Sequence, residues 1–72
     1  MDKDAKKIAS LIGKNISKYR RRKSLTSETL AYENGFSKGY LSDLENGKKI
    51  PSVMMLHTLS VALGVSIKDF FS

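Results

Sequence analysis

Cysteine is absent from this 72-residue chain. Without it there is neither a disulfide nor a thiolate metal site, and a reducing, cytoplasmic setting fits better than a secreted one. Long apolar runs are also missing. Nothing approaches the roughly 20 residues of a bilayer span, and the start Met1-Asp2-Lys3-Asp4 lacks a signal peptide's apolar stretch, so a soluble, unexported protein with no membrane partner is expected. Histidine occurs once, as His57. One imidazole offers at most one member of a Ser/His/Asp arrangement and no metal-ligand spacing, so no catalysis, metal or cofactor is expected, and His57 reads as an ordinary helix residue at the core edge. No segment alternates as a strand would, and there is no internal repeat or linker.

What the chain has is positive charge. Thirteen Lys and Arg against seven Asp and Glu leave a formal charge of +6 and an isoelectric point near 9.8. A small domain this basic attracts nucleic acid or an anionic membrane, and charge alone does not choose between them. Chains of this size bury only about 60% of the surface they expose when unfolded, so residues 1–72 read as one domain with a modest core.

Ile8, Leu11, Ile12, Ile16 and Tyr19 recur at three- and four-residue spacing, which predicts a helix over about 4–22 with these side chains on its core face. Its other side carries Lys14, Lys18, Arg21, Arg22 and Lys23, either a solvated face or a binding surface. A lipid-bound amphipathic helix is the weaker reading, because the apolar face is needed for the core. Thr26 caps a second helix, about 27–33, which buries Leu30 and Ala31 and ends at Asn34-Gly35. Ser37 caps a third, about 38–46, with Leu41 and Leu44 inward and Phe36 just before the cap. After Asn46-Gly47 comes the basic connection Lys48-Lys49-Ile50-Pro51, and Ser52 caps a fourth helix, about 53–63, with Val53, Leu56, Ser60 and Leu63 on one face and Leu59 at its edge. Leu63-Gly64 ends it. Ser66 with Asp69 three residues on makes a capping-box pattern for a last short helix bearing Ile67, Phe70 and Phe71. The predicted fold class is all-α, a compact five-helix domain.

Two short helices joined by about four residues with a glycine have the geometry of a helix-turn-helix. Many helical proteins contain such a corner. The outer face of the third helix adds to the signal, since a buried connector would not leave Lys38, Ser42, Asp43 and Asn46 outward together. More specific is the order Ile16, Leu25-Thr26, Leu30-Ala31, Gly35-Phe36-Ser37, Tyr40-Leu41-Ser42, Leu44-Glu45-Asn46-Gly47-Lys48, Pro51-Ser52 and Leu63-Gly64-Val65-Ser66. It resembles the phage-repressor or Cro-type helix-turn-helix family, also called XRE, over about residues 10–71, and Leu44 to Lys48 is its most diagnostic part. The resemblance implies a lambda-repressor-like domain that regulates transcription by binding double-stranded operator DNA as a two-fold homodimer. No small-molecule effector site is evident.

Carried over from that family, the base-reading positions are Lys38, Gly39, Tyr40 and Asp43. Lys38 suits guanine O6 and N7, Tyr40 offers a hydroxyl or packs on a thymine methyl, and Asp43 either accepts from cytosine N4 or repels phosphate. Gly39 either admits close approach of the helix to the groove or reads nothing. Backbone and flanking contacts fall on Thr26, Ser27, Ser37, Ser42, Asn46 and Lys48. Ser27 stands where the family most often has glutamine. Asn34 stands where an apolar residue is usual, and Thr29 replaces the acidic residue that would complete a capping box at Thr26, so a marginal second helix is expected. Arg20 and Glu45 match a structural pair tying the first helix to the end of the third. The family's dimer interface falls on Val65, Ser66, Ile67, Phe70 and Phe71, with one of the two phenylalanines expected in the core. Met54, Thr58, Val61 and Val65 form an apolar stripe opposite the core face of the fourth helix, a candidate extension of that interface. The competing function is a protein-interaction module, antitoxin or adaptor, on the same scaffold.

Overall fold

Helix boundaries in this chain are set by short polar side chains. Asp2, Thr26, Ser37 and Ser52 each accept the backbone N–H three residues ahead, from Ala5, Thr29, Tyr40 and Met55, at 2.7–3.0 Å, satisfying donors that the first turn leaves free. The computed structural model, which describes residues 1–72, accordingly shows α1 at Lys3–Arg22, α2 at Ser27–Glu33, α3 at Lys38–Glu45 and α4 at Val53–Leu63, followed by a 3-10 helix at Ile67–Phe71. Thr26 also donates its own proton to the Thr29 hydroxyl at 2.9 Å, so the two hydroxyls brace the first turn side chain to side chain, without the bond to the N-cap backbone N–H that a capping box makes. At the other end of α2, the Asn34 amide donates to Leu30 O at 2.9 Å, and Gly35 turns the chain with φ +78°. Asn34 is thus a polar stop for the helix.

The fifth α-helix is not formed. Its place is taken by the 3-10 helix, whose three residues per turn stack Ile67 and Phe70 on one side. Phe70 is fully buried there and Phe71 is 46% exposed. The Ser66 N–H donates to the Asp69 carboxylate at 2.9 Å, fixing the start of the turn.

Nine buried side chains drawn from all five elements form the core, including Ile12 and Ile16 of α1, Leu41 and Leu44 of α3, and Phe70. The Phe70 ring meets the edge of Tyr19 at 6.1 Å. Asn15 of α1 is buried as well, donating its amide to Phe70 O at 2.8 Å. That bond ties the C-terminal turn to α1 across 55 residues of chain.

Two faces differ from expectation. On α1 the stripe turned inward is Ala9, Ile12, Gly13 and Ile16, while Ile8 and Leu11 are exposed. α1 lies so close to the end of α3 that a Cβ on Gly13 would collide with Leu44 O and stand 2.7 Å from Glu45 O, so this contact needs the small residues. On α4, Val53 is 74% exposed and Leu59 is fully buried. Leu56, Leu59, Ser60 and Leu63 make the inward stripe. Val53 opens the helix, and its Cβ is tilted back toward the N-terminus, past the end of the core. His57 is exposed, not at the core edge.

Candidate nucleic-acid interface

The turn between α2 and α3 comprises residues 34–37 and is stiffened from inside. Phe36 N–H donates to Ala31 O at 3.0 Å, and its ring packs edge-on against Tyr40 with centroids 6.0 Å apart. Leu41 and Leu44 then anchor α3 in the core. One helix face is thereby fixed, and the opposite face carries Lys38, Gly39, Ser42 and Asn46, all exposed, with Asp43 half-buried beside them.

The candidate base-reading residues differ in freedom. Lys38 is largely solvated; its ammonium lies 3.6 Å from the Glu28 carboxylate of α2, an exposed pair of small energetic weight. Beyond the backbone of its own helix and its chain neighbours, no atom lies within 4 Å of where a Gly39 Cβ would stand, and the residue is not in the left-handed region. Nothing within the protein therefore requires glycine here. The Tyr40 ring is half-buried against Phe36 and the core, with the Lys49 ammonium 5.6 Å from its centroid, so its body is structural and only its outer edge is free. Asp43 is 3.4 Å from the Lys49 ammonium, which offsets its charge on this face.

Among the flanking residues, Thr26 and Ser37 spend their hydroxyl oxygens as helix caps. Ser42 accepts the Asn46 amide at both its carbonyl and its hydroxyl, at 2.9 and 3.3 Å. Ser27 is half-buried at the start of α2, and Lys48 is exposed in the loop after α3. Lys49 was not singled out in sequence as a site residue. Only the folded loop brings it over Tyr40 and Asp43, and nothing in the local pattern separates it from Lys48.

Arg20 and Glu45 meet as the sequence suggested. The guanidinium donates from Nε and Nη2 to the two carboxylate oxygens at 2.7 and 2.9 Å, and from Nη1 to Leu25 O at 2.8 Å. The hydrogen bond to Glu45 outweighs burial and raises the arginine's already high pKa. Beside this pair, Lys14, Ser17, Lys18, Arg21 and Arg22 of α1 line an open groove that ends on Glu45 and Asn46 of α3.

The expected interface residues separate. Val65 and Ile67 are half-buried, Ser66 and Phe71 are exposed, and Phe70 belongs to the core; full burial removes it from any contact surface. Met54 and Val61 are both about 70% exposed.

A family model described as a helix-turn-helix domain matches residues 13–72. An uncharacterized HTH-type transcriptional regulator of Sinorhizobium fredii, y4dJ, is 48% identical over 59 residues, 82% of this chain and 77% of that protein. The HTH-type transcriptional regulator SlrR of Bacillus subtilis is 42% identical over 62 residues, 85% of this chain but 41% of SlrR, so the chain spans less than half of that relative. The crystal structure of the clp gene regulator ClgR from C. glutamicum superposes with a TM-score of 0.83 at 34% identity, covering 89% of this chain and 83% of that one. The matched span takes in everything from α2 to the 3-10 helix and the second half of α1, and the chain therefore belongs to the helix-turn-helix family of transcription regulators of the XRE type.

Proposed function

We propose that this chain regulates transcription by binding double-stranded operator DNA in sequence-specific fashion, with α3 in the major groove. The observation that carries the reading is the outward row Lys38, Gly39, Ser42 and Asn46 on a helix whose other face is locked into the core by Leu41 and Leu44. In this reading Lys38 donates to guanine, the Tyr40 hydroxyl edge and Asp43 contribute at neighbouring bases, and Thr26, Ser27, Ser37, Ser42, Asn46 and Lys48 meet backbone and flanking positions. No step in it is catalytic, and its setting is the cytoplasm.

The active species in this reading is a homodimer that places two copies of α3 in successive major grooves about 34 Å apart. Val65, Ser66, Ile67 and Phe71 supply exposed or half-exposed positions for a second copy, and Met54 and Val61 of α4 are exposed as well. Sedimentation across a concentration series is expected to show a monomer–dimer equilibrium that Phe71→Ser shifts toward monomer. A mass fixed at one monomer would remove the dimer.

Selection from random duplex DNA, followed by titration at several salt concentrations, tests the function. Enrichment of a two-half-site motif is expected. Recovery of no motif, with weak binding insensitive to sequence, would overturn it in favour of a protein-interaction module.

A further inference from the structure

We infer that the basic groove on α1 is a second DNA contact, holding backbone phosphates beside the C-terminal end of α3. The inference rests on the operator-binding reading and goes beyond it by assigning α1 a part in affinity.

Lys14, Ser17, Lys18 and Arg21 stand at i, i+3, i+4 and i+7, one face of α1 opposite its packed stripe, and Arg22 adjoins them. None of the four cations has a carboxylate within 4.0 Å, because the chain's ion pairs are Arg20–Glu45, Lys38–Glu28 and Lys49–Asp43. The one anion lining the groove, Glu45, is already neutralised by the two-pronged Arg20. The lining contains no hydrophobic residue, and its four cations suit an extended anion. Lys18 and Arg22 lie over the Tyr19 ring, 4.8 and 5.4 Å from its centroid.

Position selects the DNA strand as the occupant. The groove is continuous with Asn46, at the end of the reading helix, so DNA seated against α3 passes its mouth. From Lys14 to Arg21 the ridge runs roughly 10 Å at about 1.5 Å per residue, against phosphates spaced about 3.4 Å along the axis on each strand. A charged ridge of this length follows more than one phosphate and reads no base.

The test compares wild type, Lys14→Gln/Arg21→Gln, and an equal charge change off the groove, Lys6→Gln/Lys68→Gln, on the selected operator and on scrambled duplex from 50 to 200 mM salt. All four substituted side chains are exposed, and circular dichroism melting checks that the fold is kept. For the groove variant, the slope of log K against log salt is expected to fall by about 1.8, or about 0.9 per lost phosphate contact. The wild-type advantage then shrinks about twelvefold over that salt range, equally on operator and scrambled DNA, while the off-groove variant keeps the wild-type slope. An unchanged slope, a loss confined to the operator, or the same loss off the groove would overturn the inference while leaving operator binding standing. Failure of wild type to enrich any operator would instead overturn the function and this inference together.

Discussion

The guanidinium of Arg20 lies along the carboxylate of Glu45, with Nε to Oε2 at 2.7 Å and Nη2 to Oε1 at 2.9 Å, and both side chains are nearly buried. Through this contact the end of α1 is clamped to the end of α3, and the third nitrogen reaches Leu25 O in the turn that leads to α2. Arg20 thus adds a polar clamp to the orientation that Ile12, Ile16, Leu41 and Leu44 set in the core.

Removing one partner would strand the other's charge in a nearly buried site. Arg20→Ala is expected to cost about 3 kcal/mol, lowering Tm by roughly 12 °C or more in a domain of this size. The double substitution Arg20→Met/Glu45→Leu should recover most of that loss, because it leaves no unpaired charge. Thermal melts of the three proteins decide it; a double variant as unstable as the single one would mean that the pair acts through geometry and not through charge compensation. Since the arginine's pKa is raised, its share of the stability is fully present below the unfolded-state value and is lost only as pH rises through the still higher folded one. The single-variant loss should therefore stay constant from neutral to mildly alkaline pH.

Gly13 makes the same joint possible from the backbone side. Alanine would favour an isolated helix by up to about 1 kcal/mol, yet here its Cβ meets the carbonyls of Leu44 and Glu45, neither of which is a flexible side-chain end. Gly13→Ala is expected to destabilise the fold by about 1–3 kcal/mol, the usual cost of overpacking, by pushing α1 off α3. Denaturant titration gives the sign directly, and a more stable variant would show that α1 can slide without penalty.

The Arg20–Glu45 side of this joint is legible in the sequence and its backbone side is not, which shows what periodicity reports. The spacing of Ile8, Leu11, Ile12 and Ile16 located α1 and its length, but it weighted large apolar residues, whereas close helix contact selects small ones, and Ala9 and Gly13 carry no apolar bulk to notice. Asn15 was invisible for a related reason: a buried amide is acceptable only because Phe70 O waits for it, 55 positions away. Caps were legible because they are local. Thr26, Ser37 and Ser52 placed the starts of α2, α3 and α4 where the helices begin. The last element kept its position but not its type, since a capping-box pattern marks where a helix starts and says nothing of whether the following five residues wind as α or 3-10. Of the candidate site, the outward face of α3 followed from its periodicity, while the pairing of Asp43 with Lys49 and the groove beside Glu45 depend on chain segments far apart in sequence or on loop conformation.

Lys38 and Lys48 are expected to separate reading from positioning. Lys38 is exposed and only weakly engaged by Glu28, so Lys38→Ala should leave Tm nearly unchanged. It should relax preference at one operator position by about 1–3 kcal/mol. Lys48→Ala should weaken all sequences alike and reduce the salt slope by about 0.9. Binding measured on operators substituted at each position is the check, and equal losses on cognate and scrambled DNA would move Lys38 to the positioning group.

Gly39 allows stability and binding to be pulled in opposite directions. It lies in the first turn of α3, has nothing beyond its own helix backbone and chain neighbours within 4 Å of a virtual Cβ, and does not use the left-handed backbone that only glycine adopts easily. Gly39→Ala should therefore stabilise the helix by up to about 1 kcal/mol, raising Tm by roughly 4–8 °C. The added methyl lies on the side of α3 assigned to the major groove, where its bulk holds the helix away from the base edges. Weaker operator binding is expected from the more stable protein, with a smaller loss on scrambled DNA, where no close base contact is made. A variant that is more stable and binds its operator as well as wild type would show that Gly39 takes no part in recognition, leaving Lys38, Tyr40 and Asp43 to account for it.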